Sequence, residues 1–327
     1  MATGIRISND KRLVLVSGRA FPELAEEVAK DLGISLLPTI AYDFANSEIY
    51  VRYEESLRGS DVFILQSFTD PINKWLMEAL LLVDTAKRAS AKRITAVMPY
   101  YPYARQDKKH KGREPISARL VADMFKTAGA DRIMSVDLHA AQSQGFFDGP
   151  VDHLWVMPTL VKYVRTRIDP ENSVMVSPDA GRIKVAEQWA ARLGGVPLAF
   201  VHKTRDISRA NVAVANRVVG DVAGKTAIIV DDMIDTAGTL VGAINVVKEA
   251  GAKEVIVAAT HGLLSGPAVE RLQAAGCREI IITNTLPVPE EKRFEGLTVL
   301  SIAPVLARAI DEVFEDGSVT SLFDGAY

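Results

Sequence analysis

Ala227-Ile-Ile-Val-Asp-Asp-Met-Ile-Asp-Thr-Ala-Gly-Thr-Leu240 opens on four apolar residues, continues with two adjacent acids and closes on small and hydroxylated ones. The apolar run reads as a buried strand of a parallel sheet, and the small-residue turn opens a helix at about Gly238. Ligands of open parallel sheets bind beyond the carboxyl ends of the strands, which is where this reading puts Asp231 and Asp232. Asp235, Thr236, Ala237, Gly238 and Thr239 then offer backbone N–H groups and hydroxyls at a helix N-terminus, a setting that suits a phosphate. Carboxylates repel phosphate, so their natural partners are the hydroxyls of a sugar; a ribose phosphate satisfies both halves. Helix capping by Asp235 or Thr236 would account for an isolated Asp-Thr. It does not account for five polar residues among the nine from 231 to 239. The nearby Ala223-Gly-Lys-Thr226 imitates the end of a Walker A loop, but Gly220 sits one residue too close and the piece precedes a strand where it should follow one.

Outward from this stretch, short β-branched runs alternate with segments periodic at three to four residues. The runs are 13–16, 62–65, 94–98 and 133–136 in the first half, and 174–176, 198–201, 227–230, 255–258 and 280–282 in the second. That alternation predicts βαβ units and mostly parallel sheets, an α/β fold in both halves. A faint internal repeat supports two copies of one topology: Lys87-Arg-Ala-Ser-Ala-Lys92 resembles Lys248-Glu-Ala-Gly-Ala-Lys253, each closing a helix and opening a strand. Ala128-Gly-Ala-Asp-Arg-Ile133 and Ala275-Gly-Cys-Arg-Glu-Ile280 form a second pair at a smaller offset. The difference fits an insertion in the first half at 101–114, a polar, basic stretch without strand or helix pattern. Gly149, Pro150 and Pro158 bracket a polar link, which divides the chain into domains 1–153 and 154–327.

A chain of 327 residues, 48% hydrophobic and 24% charged, has material for two cores and none of the bias of a disordered segment. Its formal charge of −3 removes the global electrostatic argument for a nucleic-acid or membrane partner. The single cysteine, Cys277, excludes an intramolecular disulfide and a multi-cysteine zinc site. No apolar run is long enough to span a bilayer, and the polar start lacks the pattern of a signal peptide, so a cytoplasmic location is expected.

Three further groups of residues could carry chemistry. Arg105, Lys108, Lys109, Lys111 and Arg113 crowd into nine residues; their aromatics, Tyr100, Tyr101 and Tyr103, precede the charges and do not interleave with them, which favours a polyphosphate over nucleic acid. His139 follows the strand 133–136. Lys203 and Arg205 follow the strand 198–201; on sequence alone they read as ordinary surface cations, the commoner fate of such residues.

Here the resemblance becomes specific. Val230-Asp-Asp-Met-Ile-Asp-Thr-Ala-Gly-Thr239 resembles the phosphoribosyl pyrophosphate loop shared by type I phosphoribosyltransferases and ribose-phosphate pyrophosphokinases. Tyr103-Ala-Arg-Gln-Asp-Lys-Lys109, Arg113-Glu-Pro-Ile116, Asp137-Leu-His139, Gln144-Gly-Phe-Phe-Asp148, Ser177-Pro-Asp-Ala-Gly181 and His202-Lys-Thr-Arg205 resemble the pyrophosphokinases, in that family's order. The resemblance implies two similar phosphoribosyltransferase-like domains, each with a mostly parallel sheet flanked by helices. It also implies transfer of the diphosphoryl group of ATP to the 1-hydroxyl of ribose 5-phosphate, leaving AMP. By the same resemblance Phe44, Asn46 and Glu48 bind adenine on a hairpin, Arg105 and Gln106 contact ATP, and His139 and Asp179 hold Mg²⁺. Lys203 and Arg205 stabilise the transferring group from a catalytic loop over 202–211. Asp231 and Asp232 take the ribose hydroxyls, and 235–239 the 5-phosphate. Lys108, Lys109, Lys111 and Arg113 fall where the family places an allosteric site for inorganic phosphate or ADP, and a homohexamer is implied. The chain departs from the family pattern at Asn46-Ser47, where Asp-Gly is common, and at Arg182, where a second Gly is common.

Overall fold

The computed structural model describes residues 5–8, 11–204 and 215–323, and the chain divides into two compact units. The first comprises 1–155, 285–287 and 301–327; the second comprises 156–284 and 288–300.

The first unit begins with β1 (Ile5–Ser8), β2 (Lys11–Ser17), α1 (Pro22–Leu32), and a hairpin of β3 (Thr39–Asp43) and β4 (Ile49–Tyr53). There follow β5 (Asp61–Leu65), α2 (Ile72–Arg88), β6 (Arg93–Met98), α3 (Ser117–Ala128), β7 (Arg132–Val136) and β8 (Val151–Leu154). Helix α1 illustrates how the sequence dictates the element. Pro22 starts it, Leu24, Ala25, Val28, Ala29 and Leu32 form one buried face, and Gly33 ends it in the left-handed conformation, donating to the carbonyls of Ala29 and Lys30. The main sheet runs β1-β2-β5-β6-β7-β8, antiparallel at β1 and parallel from β2 onward.

The second unit continues with α4 (Met157–Arg165), β9 (Ser173–Ser177), α5 (Ile183–Arg192), β10 (Leu198–Thr204), β11 (Ala215–Val219), β12 (Thr226–Ile234) and α6 (Gly238–Glu249). It ends in β13 (Glu254–Gly262), α7 (Ala268–Ala275), β14 (Glu279–Thr283) and β15 (Leu297–Leu300); α8 (Ala303–Phe314) then returns to the first unit. The sheet order is β11-β10-β9-β12-β13-β14-β15, with β11 the antiparallel edge. The apolar residues of β12, Ala227, Ile228, Ile229 and Val230, are fully or almost fully buried, as expected of a strand covered on both faces.

The internal repeat is physical. The link from α2 to β6 and the link from α6 to β13 bond in the same way: Ser90 N–H to Lys87 O at 3.1 Å and Ala91 N–H to Ala86 O at 3.1 Å, against Gly251 N–H to Lys248 O at 2.9 Å and Ala252 N–H to Val247 O at 3.2 Å. Ser90 and Gly251 both sit at positive φ, 63° and 92°.

Four expectations need adjusting. Strand β12 does not stop before the acids but runs on to Ile234, because β13 pairs with it along that whole length. His202, Lys203 and Thr204, expected as the start of a loop over 202–211, instead extend β10, where the backbone of β11 pairs with them; the rest of that expected loop, Arg205 included, lies outside the described residues. The link expected around 149–158 contains β8, paired with β7. The segment 301–327 belongs to the first unit, since α8 packs on α1.

Candidate active site

In the second sheet the strand order reverses. The chain passes from β9 outward to β10, then returns to lay β12 on the other side of β9. Such a reversal sends neighbouring connections to opposite faces and leaves a crevice at the carboxyl ends of the two strands. The pairing of β12 with β9 ends at Ile229 and Val176, whereas its pairing with β13 continues through Asp231 and Met233 to Ile234. Asp231 and Asp232 therefore lie beyond the last β9 partner, held on one side by β13.

The two acids are closely organised. The Asp232 N–H donates to Asp231 Oδ1 at 2.9 Å. Arg182 pairs through Nη2 with Asp232 Oδ1, and its Nε stands 3.4 Å from Asp231 Oδ1. Burial and the neighbouring Asp232 push the Asp231 carboxyl up to about 7, with Arg182 pulling the other way.

The segment after β12 has the expected form. Ala237 precedes α6 at φ 60°, and no side chain caps the helix, so Asp235 and Thr236 do not serve as its N-cap. An alanine at positive φ is strained, and such conformations turn successive N–H groups toward one concavity. Thr236, Gly238 and Thr239 are exposed while Asp235 is half-buried. The loop is braced from below: Leu263 and Leu264 donate to Ile234 O, Ser265 donates to Asp235 O at 3.0 Å, and Arg271 Nη1 donates to Thr236 O at 2.9 Å. Neither Arg271, on α7, nor the 263–265 segment carries a local sequence signal for this role.

Across the crevice, β9 leads into the turn bearing Asp179. Its Oδ1 accepts from the N–H groups of Gly181 at 2.9 Å and Arg182 at 3.2 Å, and Ser177 Oγ donates to the Asp179 carbonyl at 2.6 Å. The carboxylate is half-buried. Lys203 has its backbone in β10 opposite Asn216.

The remaining expected residues belong to the first unit. His139 is half-buried in the segment after β7, where Asp137 takes φ 36°. Strand β8 fastens that segment: Asp137 N–H reaches Leu154 O at 2.9 Å and Leu138 N–H reaches His153 Nε2 at 2.9 Å. The buried His153 gave no sequence signal beyond being a lone histidine. The 3–4 hairpin turns through Ser47 at φ 70°, which is why glycine suits that position. Asn46 Oδ1 accepts from the Glu48 N–H at 3.2 Å, so part of its side chain serves the turn itself. Phe44 is 45% exposed and meets Tyr42 and Tyr50 edge-on at 5.4 and 6.1 Å. Asp43 beside it binds both Arg19 and Lys74, at 2.7 and 2.6 Å, and these bonds hold its carboxyl below the usual range.

The basic loop at 101–114 contains no regular element. Arg105, Gln106, Lys108, Lys109, Lys111 and Arg113 are exposed. Gln106 anchors the loop to α3, its carbonyl accepting from Ala118 N–H at 3.2 Å and its Oε1 from Ser117 Oγ at 2.6 Å. Glu114 accepts from the N–H groups of Lys111 and His110, which lowers its pKa. Among the described residues, no group of three or more His, Cys, Asp or Glu side chains is placed to hold a metal ion, and no helix is long and apolar enough to cross a membrane.

The chain is similar to known proteins over nearly its whole length. Residues 13–129 match the family described as the N-terminal domain of ribose phosphate pyrophosphokinase, and residues 207–324 match the phosphoribosyl synthetase-associated domain. A ribose-phosphate pyrophosphokinase of Bifidobacterium longum is 69% identical over 317 residues, covering 96% of this chain and 93% of the relative. One from Corynebacterium efficiens is 64% identical over 317 residues, covering 97% of each. The crystal structure of phosphoribosylpyrophosphate synthetase from Mycobacterium smegmatis, 61% identical, superposes with a TM-score of 0.88 over 93% of this chain and 99% of that one.

Proposed function

The chain belongs to the ribose-phosphate pyrophosphokinase family, and from that premise we infer that it transfers the diphosphoryl group of ATP to the anomeric hydroxyl of ribose 5-phosphate, giving phosphoribosyl pyrophosphate and AMP. The observation that carries the reading is the pairing of an acidic pair with an uncapped helix N-terminus at one strand-order reversal: acceptors for a diol beside donors for a phosphate.

In the mechanism we propose, Asp231 and Asp232 accept from the ribose hydroxyls, while the backbone and hydroxyls of Asp235, Thr236, Ala237, Gly238 and Thr239 seat the 5-phosphate. Phe44 stacks on adenine, with Asn46 and Glu48 hydrogen-bonding its edge, and Arg105 and Gln106 meet the ATP phosphates. Displacement at phosphorus depends on alignment and charge neutralisation more than on covalent chemistry. Lys203 and Arg205 supply cations to the transferring group, where preorganised charge acts most strongly.

Mg²⁺ is the metal we propose. The described side chains offer no all-protein cage, which fits an ion that takes one or two protein ligands and completes its shell with phosphate oxygens and water. His139 and Asp179 are the protein ligands in this reading, and the bound ion would neutralise charge on the ATP oxygens. The exposed cations Lys108, Lys109, Lys111 and Arg113 suit an anionic effector, inorganic phosphate or ADP. A homohexamer acting in the cytoplasm completes the proposal.

The test is to mix the purified protein with ATP, Mg²⁺, ribose 5-phosphate and inorganic phosphate and to follow AMP. AMP formation that requires ribose 5-phosphate is expected; its absence overturns the reading.

A further inference from the structure

Successive side chains of a strand point to opposite faces, so carboxylates at consecutive positions such as 231 and 232 are ordinarily splayed apart. Here one guanidinium reaches both. Arg182 pairs with Asp232 Oδ1 through Nη2 and lies 3.4 Å from Asp231 Oδ1 through Nε, and the Asp232 N–H closes on the same Asp231 oxygen at 2.9 Å. Arg182 comes from the other wall of the crevice, and its main chain is pinned there by the bond from its N–H to Asp179 Oδ1 at 3.2 Å. The side chains of Arg182, Asp231 and Asp232 are only 21%, 22% and 10% exposed, so water screens the two acids poorly and Arg182 supplies the counterion that favours their ionised forms.

We propose that Arg182 is a positioning residue of the sugar site, drawing the two carboxylates together through their Oδ1 atoms into a single acceptor surface for the vicinal hydroxyls of a ribose phosphate. This rests on the functional reading above, in which the acids take those hydroxyls. The competing role, a cation that plugs the acidic pair and must be displaced by the sugar, predicts the opposite sign in every binding measurement. Burial first and Asp232 second raise the Asp231 carboxyl, and Arg182 lowers it. Removing the cation makes Asp231 ionise at higher pH, and a carboxyl that holds its proton accepts hydroxyl hydrogen bonds less well.

The experiment compares the full-length protein with Arg182→Ala and Arg182→Lys, by calorimetric titration of ribose 5-phosphate and by steady-state kinetics from pH 6 to 9, with thermal melting as the folding control. Arg182→Ala is expected to weaken ribose 5-phosphate binding and raise its KM by about tenfold, the scale of losing a hydrogen bond to a charged partner. The KM for ATP and the rate at saturating sugar should stay within about threefold, since in this proposal Arg182 acts on Asp231 and Asp232, the acceptors of the sugar. The pH above which sugar binding is tight should move upward, and Arg182→Lys, keeping the charge without the fork, should recover part of the affinity. Unchanged or tighter sugar binding in Arg182→Ala, or an unmoved pH profile in a variant that melts like the parent, would overturn the proposal. A parent protein that binds no ribose 5-phosphate would instead remove the functional reading on which it rests.

Discussion

The two sheets share a plan and differ in one topological step. In the first, β2, β5, β6, β7 and β8 follow one another in chain order with no reversal; in the second, the chain turns back between β10 and β12 and lays β12 against β9. The motif that gathers acids, amides and hydroxyls in nine residues stands at that reversal. The first sheet has no such reversal among the described residues, and its expected ligand-binding residues lie instead on the β3–β4 hairpin, on a basic loop and on the segment after β7. Likeness of fold, visible in the matching links that precede β6 and β13, thus does not imply likeness of site: the crevice opens where strand order reverses. On the proposed function this amounts to a division of labour, in which the second unit takes the sugar phosphate and the first contributes nucleotide contacts.

That division can be broken by kinetics. The largest effect is expected for Lys203→Ala, which removes a cation from the transferring group: kcat should fall by about 10²–10³-fold with ribose 5-phosphate binding nearly intact. Normal turnover would remove Lys203 from the mechanism. Next, Asp231→Asn should raise the KM for ribose 5-phosphate by about ten- to a hundredfold while sparing the KM for ATP. Phe44→Ala should do the reverse, raising the KM for ATP about tenfold through lost base stacking with the sugar KM unchanged. Crossed effects, sugar binding lost at Phe44 or ATP binding lost at Asp231, would end the division.

A pH dependence sharpens the same point. The Asp231 carboxyl is raised by burial and by Asp232, so its ionised form predominates only above about 7. Sugar affinity should rise with pH through that region, and Asp231→Asn should flatten the rise. For stability the sign is opposite. A raised carboxyl pKa favours the folded state while the group is protonated, below its ordinary value near 3.8, and the advantage fades as pH climbs through about 7. The melting temperature of Asp231→Asn should accordingly exceed that of the parent most at alkaline pH. The smallest effect is expected for Arg271→Ala, a few-fold rise in the KM for ribose 5-phosphate, since that side chain braces the phosphate loop through the Thr236 carbonyl.

Much of this was legible in the sequence, and the reasons differ by level. The runs at 227–230, 255–258 and 280–282 read as strands because a parallel strand buried on both faces must be apolar throughout. The start of α6 at Gly238 was equally plain. The edge strands β1, β11 and β15 and the closing β8 are short and carry no clean period in the sequence, so the pattern does not reveal them. The sequence pattern ends β12 before the acids because polar residues usually end a strand; in the structure β13 pairs on through them. At the site, local motifs exposed the acids, the phosphate loop and the basic loop. Contacts between distant segments left no trace: Arg182 on the acidic pair, His153 beneath Leu138, Arg271 under Thr236.

A structure of the protein with ribose 5-phosphate bound tests the central claim most directly. The account expects the 5-phosphate on the amides of residues 236–239 and the ring hydroxyls within hydrogen-bond reach of Asp231 and Asp232. A sugar phosphate seated elsewhere, with the 231–239 segment empty, would contradict it.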